Sequence, residues 1–283
     1  MARPAPGEGP FPGVILYMDA VGLRPRIGEM AQRIADWGYV VLAPNVFYRE
    51  GSAAELAPEM DMTTPEGRAA AGKAAFPAWS RIHVDERVKH CKAFASSVRG
   101  MAREFGLLDA LDSGNPFLPM VDDAKKGASL HDYFGGLGME IKGETIPTPG
   151  GGLDYTRPEP YGVIARIIPF NHPISFAAGK IAPGLVAGNT VILKVAEQTP
   201  LSALLMGKLI QEHFPPVVVN IVTGDGPNCG SRLTRHKDVR RIAFTRRVET
   251  GRATMAGAGI KPVSLELGRE SPLAMSPRLV TSR

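Results

Sequence analysis

The sequence predicts an α/β protein: a doubly wound parallel sheet, with a protruding β-hairpin and a β-α-β piece at its N-terminus. Three observations carry this. From Tyr161 onward, short β-branched runs alternate with helical stretches. Those runs are apolar throughout, as strands covered on both faces must be. The 283 residues include 32 Gly and 25 Pro against 7% aromatics, a turn-rich composition, while 44% hydrophobic and 22% charged residues lie in the ordinary globular range. Length suggests roughly two domains of about 150 residues each.

The first segment reads strand, loop, helix, strand. Val14–Met18 is a continuous apolar run. Ile27, Met30, Ala31 and Ile34 then recur at helical spacing within Arg26–Trp37, which Gly38 ends, and Tyr39–Ala43 is a second strand stopped by Pro44. A parallel pair with a crossover helix answers that pattern. Ser52–Ala75 is rich in Ala and Met and carries no strand signal. Val84, Val88, Cys91, Phe94, Ala95, Val98, Met101, Ala102 and Phe105 predict one long amphipathic helix, broken by Gly106 and then by Asp112–Pro116. A second helix is expected from about Met120 to Phe134. Gly138–Pro160, alternating around Pro147, Pro149 and Gly150–Gly152, reads as an exposed hairpin or arm. The strands that follow are Gly162–Ile168, Thr190–Lys194, Val217–Val222, Val239–Phe244 and Pro262–Leu267. The helices between them are Pro173–Val186, Gln198–His213, Asn228–Thr234 and Val248–Met255. Ala274–Arg283 shows no periodicity.

Several classes lose support. No apolar run approaches the roughly 20 residues that cross a bilayer, and the first ten residues have no apolar core of a secretory signal. Two cysteines, Cys91 and Cys229, build no disulfide framework, so a reducing cytoplasm is expected. The net charge of +5 owes much to Arg232, Arg235, Lys237, Arg240, Arg241, Arg246, Arg247 and Arg252. Such a stretch is either a solvated basic face or a phosphate holder. Only Phe244 is interleaved for base stacking, so no nucleic-acid partner is expected. His83, His90, His131, His172, His213 and His236 have no metal-ligand spacing, and no metal is expected. No Gly-x-Ser-x-Gly or Gly-x-Cys-x-Gly elbow occurs. Gly67 to Lys73 has phosphate-loop spacing but ends in Ala74 and follows no strand. Gly224-Asp-Gly226-Pro-Asn-Cys-Gly230 is one residue longer than the dinucleotide fingerprint and reads as a tight strand-to-helix turn. Cys229 reads there as a small buried residue, with His236 still able to approach it in space.

Four distinctive segments remain, each ending a parallel strand: Pro169-Phe-Asn-His-Pro173; Lys194-Val-Ala-Glu-Gln-Thr-Pro200; Ala243-Phe-Thr245 with Glu249-Thr-Gly-Arg252; and Leu265-Glu-Leu-Gly268 with Ser271-Pro272. Any one is a turn. Four polar-tipped strand ends in one open sheet imply a site, because such sheets gather ligands at their carboxyl ends.

This ordered set resembles the NAD(P)-dependent aldehyde dehydrogenase family over about residues 71–272. The resemblance implies a Rossmann-like NAD-binding domain, with NAD or NADP as cofactor and a small-molecule aldehyde as substrate. The family oxidises the aldehyde through a cysteine thiohemiacetal, passes hydride to the nicotinamide and hydrolyses the thioester. Carried over by motif, Asn171 donates to the oxyanion, and Glu266 is the general base for water. Lys194 and Glu197 grip the adenosine ribose, and Ile168, Pro169, Phe170 and Asn171 run beside the cofactor. Gly224, Gly226 and Gly230 form a turn near it. Phe244, Thr245, Arg246, Arg247, Glu249 and Gly251 surround the pyrophosphate-binding helix start near Val248, and Leu267 completes the set. An amide such as Asn171 stabilises negative charge without titrating, and Glu266 accepts a proton where partial burial raises its pKa. Hairpin 138–160 is the family's oligomerisation arm, so a homo-oligomer is expected, with no membrane partner.

The departures are as specific. The family's catalytic cysteine lies beyond Leu-Glu-Leu-Gly, where this sequence ends, and neither Cys91 nor Cys229 matches it. The chain is therefore expected to be truncated and to turn over negligibly, or to be a non-catalytic dinucleotide-binding module. Arg246-Arg247 replaces Gly-Ser; arginine at a positive φ costs about 1–2 kcal/mol and crowds the pyrophosphate, although its charge attracts phosphate. Glu197 disfavours a 2′-phosphate, whereas the arginines favour one. Arg269-Glu270 replaces Gly-Lys, and glycine is missing around His213–Val217, before Phe214 and after the two prolines. Residues of about 10–55, with Pro12–Pro25 and Ala35–Pro44, resemble instead the start of a dienelactone hydrolase, without that family's nucleophile, acid or histidine. A lactone or ester hydrolase is the alternative this leaves. The expected organisation is a fused N-terminal fragment over 1–70, a cofactor-binding domain over 71–272 and a tail over 273–283.

Overall fold

A computed structural model describes residues 13–15, 25–36, 40–42 and 61–268. Arg269-Glu270, Ser271-Pro272 and the tail 273–283 lie outside them. Strand β1 (Gly13–Ile15), helix α1 (Pro25–Asp36) and strand β2 (Val40–Leu42) realise the expected unit, with β1 and β2 parallel and Val14 opposite Val41.

Helix α2 (Pro65–Arg81) has no counterpart among the expected elements. Thr64 caps it by accepting from the Gly67 N–H at 3.1 Å, and Pro65 starts it with a φ already helical. The residues with phosphate-loop spacing lie inside this helix. A Cβ on Gly67 would stand 1.9 Å from the Asp61 carbonyl oxygen, so that glycine serves close packing. Ala69 and Ala71 are buried, and Thr190 donates to the Gly72 carbonyl at 3.0 Å. The boundary expected at residue 70 falls within α2.

The long helix expected from Val84 to Phe105 is two, α3 (Val84–Gly100) and α4 (Ala102–Ser113), turning at Met101. Gly106 does not break α4. A Cβ there would lie 2.5 Å from Val121 Cγ2 and 2.7 Å from the Val121 nitrogen, so its bareness lets α4 meet α5 (Phe117–Gly136). Strands β3 (Thr145–Pro147) and β4 (Leu153–Tyr155) form the expected antiparallel hairpin, exposed along both strands.

Five parallel strands make the main sheet: β5 (Val163–Ile167), β6 (Thr190–Lys194), β7 (Val219–Val222), β8 (Val239–Arg246) and β9 (Val263–Leu267), in the order β7-β6-β5-β8-β9. Helices α6 (Pro173–Gly179) and α7 (Ala182–Val186) divide the stretch expected as one helix. Helix α8 (Leu201–His213) follows β6; α9 (Ser231–Arg235) follows a π turn at Gly226–Gly230; α10 (Val248–Ala258) follows β8. The period-two pleat sends Ile164, Val191 and Leu193 into a core shared with Phe94, Ile174 and Met206. It sends Val163, Ala165 and Ile192 to the opposite core, with Ala69, Leu233 and Ile242. The chain winds from β5 outward to β7, then returns to start β8 on the other side of β5. The switch point is therefore between β5 and β8.

The missing glycine after the two prolines leaves a trace. Val217 is the one non-glycine described residue at positive φ, +57°. A β-branched side chain there costs about 1–2 kcal/mol. Asn220 Nδ2 donates to the Val217 carbonyl at 2.7 Å and holds the turn.

Candidate functional site at the carboxyl edge of the sheet

Lys194 ends β6 and is 2% exposed, with its ammonium 3.0 Å from Glu197 Oε2. Gln198 Nε2 donates to Glu197 Oε1 at 3.0 Å, and Arg246 Nη1 stands 3.6 Å from the same oxygen. Partial burial pushes the Glu197 carboxyl up, but a backbone N–H, Lys194 and Arg246 together outweigh it and hold it at about 2. Here the structure brings together two residues expected at the site, three apart in sequence, with a third from another strand.

At the end of β5, the Ile168 N–H donates to the Lys194 carbonyl at 3.1 Å. The loop that follows is held from both sides. Thr199 Oγ1 donates to the Phe170 carbonyl at 3.1 Å, and Asn115 Nδ2 donates to the Asn171 carbonyl at 2.8 Å. Asp109 Oδ2 accepts from the Ile174 N–H at 2.9 Å, capping the first turn of α6, and Asp112 accepts from the Leu201 N–H at 3.0 Å at the start of α8. Asn171 itself is exposed beyond the strand. Sequence reasoning did not single out Asp109, Asp112 or Asn115; their only signal is a polar cluster at one helix end. Asp109 is buried, and that burial raises its carboxyl to about 6.

Arg246 is the last residue of β8, opposite Leu267, and Arg247 has φ −69° and ψ 154°. The backbone strain expected for arginine at these positions is absent, because the strand runs two residues past Phe244 and neither position needs a positive φ. Helix α10 then begins, with Glu249 exposed in its first turn. Gly251 packs it on β9: a Cβ there would lie 2.5 Å from Leu267 Cδ2. A helix start beside the switch point, with cations and a carboxylate one corner away, is suited to a ligand carrying phosphates and sugar hydroxyls.

Glu266, opposite Thr245 in the register, has a side chain 59% exposed and bonded to the Lys180 ammonium. Its exposure follows from its place on β9, the edge strand of the sheet. Lys180 was missed, although it is the lone charged residue in Pro173–Val186. Lys180, Arg166, Ile168, Thr245, Ser264 and Glu266 help line a small open cleft across β5, β8 and β9.

The Gly224–Gly230 turn lies past β7, at the far end of the same edge. Gly224 has φ +139°, and a Cβ on it would meet Cys229 Cβ at 2.8 Å; Asp225 accepts from the Asn228 N–H at 2.6 Å. Cys229 is 5% exposed, and burial raises its thiol. His236 accepts from the Asp238 N–H at 3.2 Å. Cys91 is buried in α3, which pushes its thiol up to about 12. Among the described residues, no group of three or more His, Cys, Asp or Glu side chains is placed to hold a metal ion. No described helix is long and apolar enough to cross a membrane.

The aldehyde dehydrogenase family matches residues 54–278, and the dienelactone hydrolase family matches residues 1–105. The chain is similar to aldehyde dehydrogenase tropH of Talaromyces stipitatus, 40% identical over 208 residues, which is 72% of this chain and 40% of that protein. It is equally similar to the mitochondrial aldehyde dehydrogenase of Homo sapiens, 40% identical over 210 residues, 71% of this chain and 41% of that protein. It superposes on the crystal structure of PnpE in complex with nicotinamide adenine dinucleotide with a TM-score of 0.69 at 39% identity, covering 71% of this chain and 42% of that one. The chain thus spans about two fifths of the length of the curated relatives it matches.

Proposed function

The chain belongs to the aldehyde dehydrogenase family, and on that premise we propose that residues 61–268 are the dinucleotide-binding half of an enzyme that oxidises an aldehyde to an acid with NAD or NADP. The observation that carries the proposal is the convergence of Lys194, Glu197, Arg246 and the start of α10 on one sheet edge at its switch point. Lys194 and Glu197 bind the adenosine ribose, and the N–H groups opening α10 receive the pyrophosphate. Ile168–Asn171, with Phe244, Thr245, Arg247, Glu249, Gly251 and Leu267, line the path between, and Gly224, Gly226 and Gly230 flank it at β7. When bound, the cofactor supplies a hydride acceptor. Asn171 presents an amide that donates to a developing oxyanion, and Glu266, once released by Lys180, accepts a proton from water.

The chemistry also requires a reactive thiolate. Cys91 and Cys229 are buried with raised thiols, the reverse of an activated nucleophile. The 283-residue chain accordingly binds dinucleotide without turnover: aldehyde-dependent NADH formation stays at the level of a heat-killed control. Calorimetric titration with NAD and NADP tests the binding itself, and an absence of saturable heat from a cooperatively folded sample overturns it. Hairpin β3–β4, with Ile146, Leu153 and Tyr155 exposed, is the surface for pairing between copies; its deletion then lowers the mass seen by light scattering. A reducing compartment, the cytoplasm, is part of the same proposal, since two cysteines build no disulfide framework.

A further inference from the structure

We propose that the cleft between helices α5 and α6 receives the tail of an aldehyde that ends in a carboxylate, with Lys126 as the cation that meets it. The inference rests on the reading of Asn171 and Glu266 above and adds the substrate's chemical class. The cleft has a volume of about 220 Å³ and is lined by Lys126, Leu130, His172, Ser175, Phe176 and Lys180. That is far above the roughly 10–15 Å³ that admits one water. Both of its ends touch the reacting groups: His172 follows Asn171 directly, and Lys180 is bonded to Glu266.

The two helices run side by side. Asp123 meets His172, Gly127 meets Ser175 and Leu130 meets Gly179. Glycine allows this approach: a Cβ on Gly127 would lie 3.1 Å from Ala178 Cβ, and one on Gly179 would run into Leu130 Cδ1. The cleft is thus a notch fixed by backbone packing. Leu130 and Phe176 give it apolar walls suited to a methylene chain, and buried Ser175 adds a small polar residue.

Charge decides what the tail ends in. No Asp or Glu lines the cleft, and two of its three basic residues already face a carboxylate. Lys180 is bonded to Glu266 and lies 5.6 Å from the Phe176 ring centroid, while His172 Nδ1 is 2.5 Å from Asp123 Oδ2. One residue away, Lys125 pairs with Asp122 at 2.9 Å. The exposed Lys126 ammonium has no carboxylate partner among the described residues. An unpaired ammonium beside apolar walls favours an anionic tail over an uncharged one and repels a cationic one. One such cation matches the single charge of a carboxylate, where a phosphate would bring about two.

The test is a ligand-observed NMR titration of the folded 283-residue chain, with calorimetric titration of NAD and NADP on the same sample. The probes are adipamic acid, whose amide stands in for the aldehyde and whose far end is a carboxylate, and hexanamide, its uncharged counterpart. Adipamic acid is expected to bind about fivefold or more tighter, with the advantage shrinking as salt screens it. Lys126→Met should bring the two affinities within twofold of each other, and Lys126→Arg should keep the preference. Lys125→Met, which removes the same charge one residue away, should leave the ratio within twofold of wild type. If wild type binds hexanamide as tightly as adipamic acid, if Lys126→Met keeps the wild-type ratio, or if neither amide binds while a dinucleotide does, the substrate proposal falls and the dinucleotide reading stands. If adipamic acid is preferred and no dinucleotide binds, the cleft stands and the dinucleotide reading falls. If nothing binds, both fall.

Discussion

Lys194 with Glu197, and Lys180 with Glu266, are the same two residue types paired at the same edge of one sheet, yet they are built differently. Lys194 closes a central strand whose five residues are all buried; its side chain is 3% exposed and its partner's 34%. Lys180 follows a short helix and reaches an edge strand with exposed positions; the side chains there are 26% and 59% exposed. A buried lysine cannot exchange its carboxylate for water at low cost, so the β6 pair is a fixed element of its corner of the sheet. The β9 pair is screened and worth little, so Glu266 remains free to change partners. That difference separates a carboxylate held in place from one open to exchange.

The largest expected effect breaks the fixed pair. Lys194→Ala should lower stability by about 2–3 kcal/mol in urea denaturation, because the space of its buried stem is emptied and Glu197 loses its cation, and should weaken dinucleotide binding at least tenfold. Lys194→Met, which keeps the buried stem, should recover much of the stability and none of the affinity.

Next comes the anchoring beneath the two corners. With its carboxyl raised to about 6, Asp109 binds a proton more tightly in the folded chain than in the unfolded one. Its contribution to stability is therefore full below about pH 4 and lost as pH rises through about 6. Buried His131, lowered to about 4 by desolvation, works the other way, losing stability as pH falls below about 6.5. Relative to Asp109→Asn, wild type should gain about 2–3 kcal/mol between pH 7 and pH 4, with the His131 effect cancelling in the difference. A flat difference would mean that Asp109 is ionised throughout.

Val217→Gly should add about 1 kcal/mol by removing a β-branched residue from positive φ, read as a rise of about 2–4 °C in Tm. The smallest effect sharpens the comparison: Lys180→Ala should change stability by less than about 0.5 kcal/mol. A loss as large as that of Lys194→Ala would show the two pairs to be equivalent after all.

The strands of the main sheet were legible because parallel strands covered on both faces are uninterrupted apolar runs, and their polar tips stood out against that background. Val217 was legible too, as a missing glycine. Helix α2 was not, because its buried face is mostly small or polar (Arg68, Ala69, Ala71 and Gly72), with Trp79 its one large apolar anchor, and so gives no periodic signal. The break at Met101 and the continuity through Gly106 were misread for one reason: glycine marks either a stop or a close approach, and only the neighbour, Val121, decides which. The ordinary backbone of Arg246 and Arg247 escaped notice because a family's glycine there suggested a turn where the strand in fact continues. Lys180 and the α4 anchors act across sequence separations that no local pattern encodes.

The contact at Gly106 has a mechanical meaning. Asp109, Asp112 and Asn115 hang from the same end of α4 and grip the start of α6, the start of α8 and the Asn171 loop. Gly106 is the fulcrum on which that lever rests. A single methyl added there would have to displace Val121 or tilt the helix, and a tilt would move all three grips together. The tolerance of the whole edge is thus set by a residue that touches no ligand and bears no functional group.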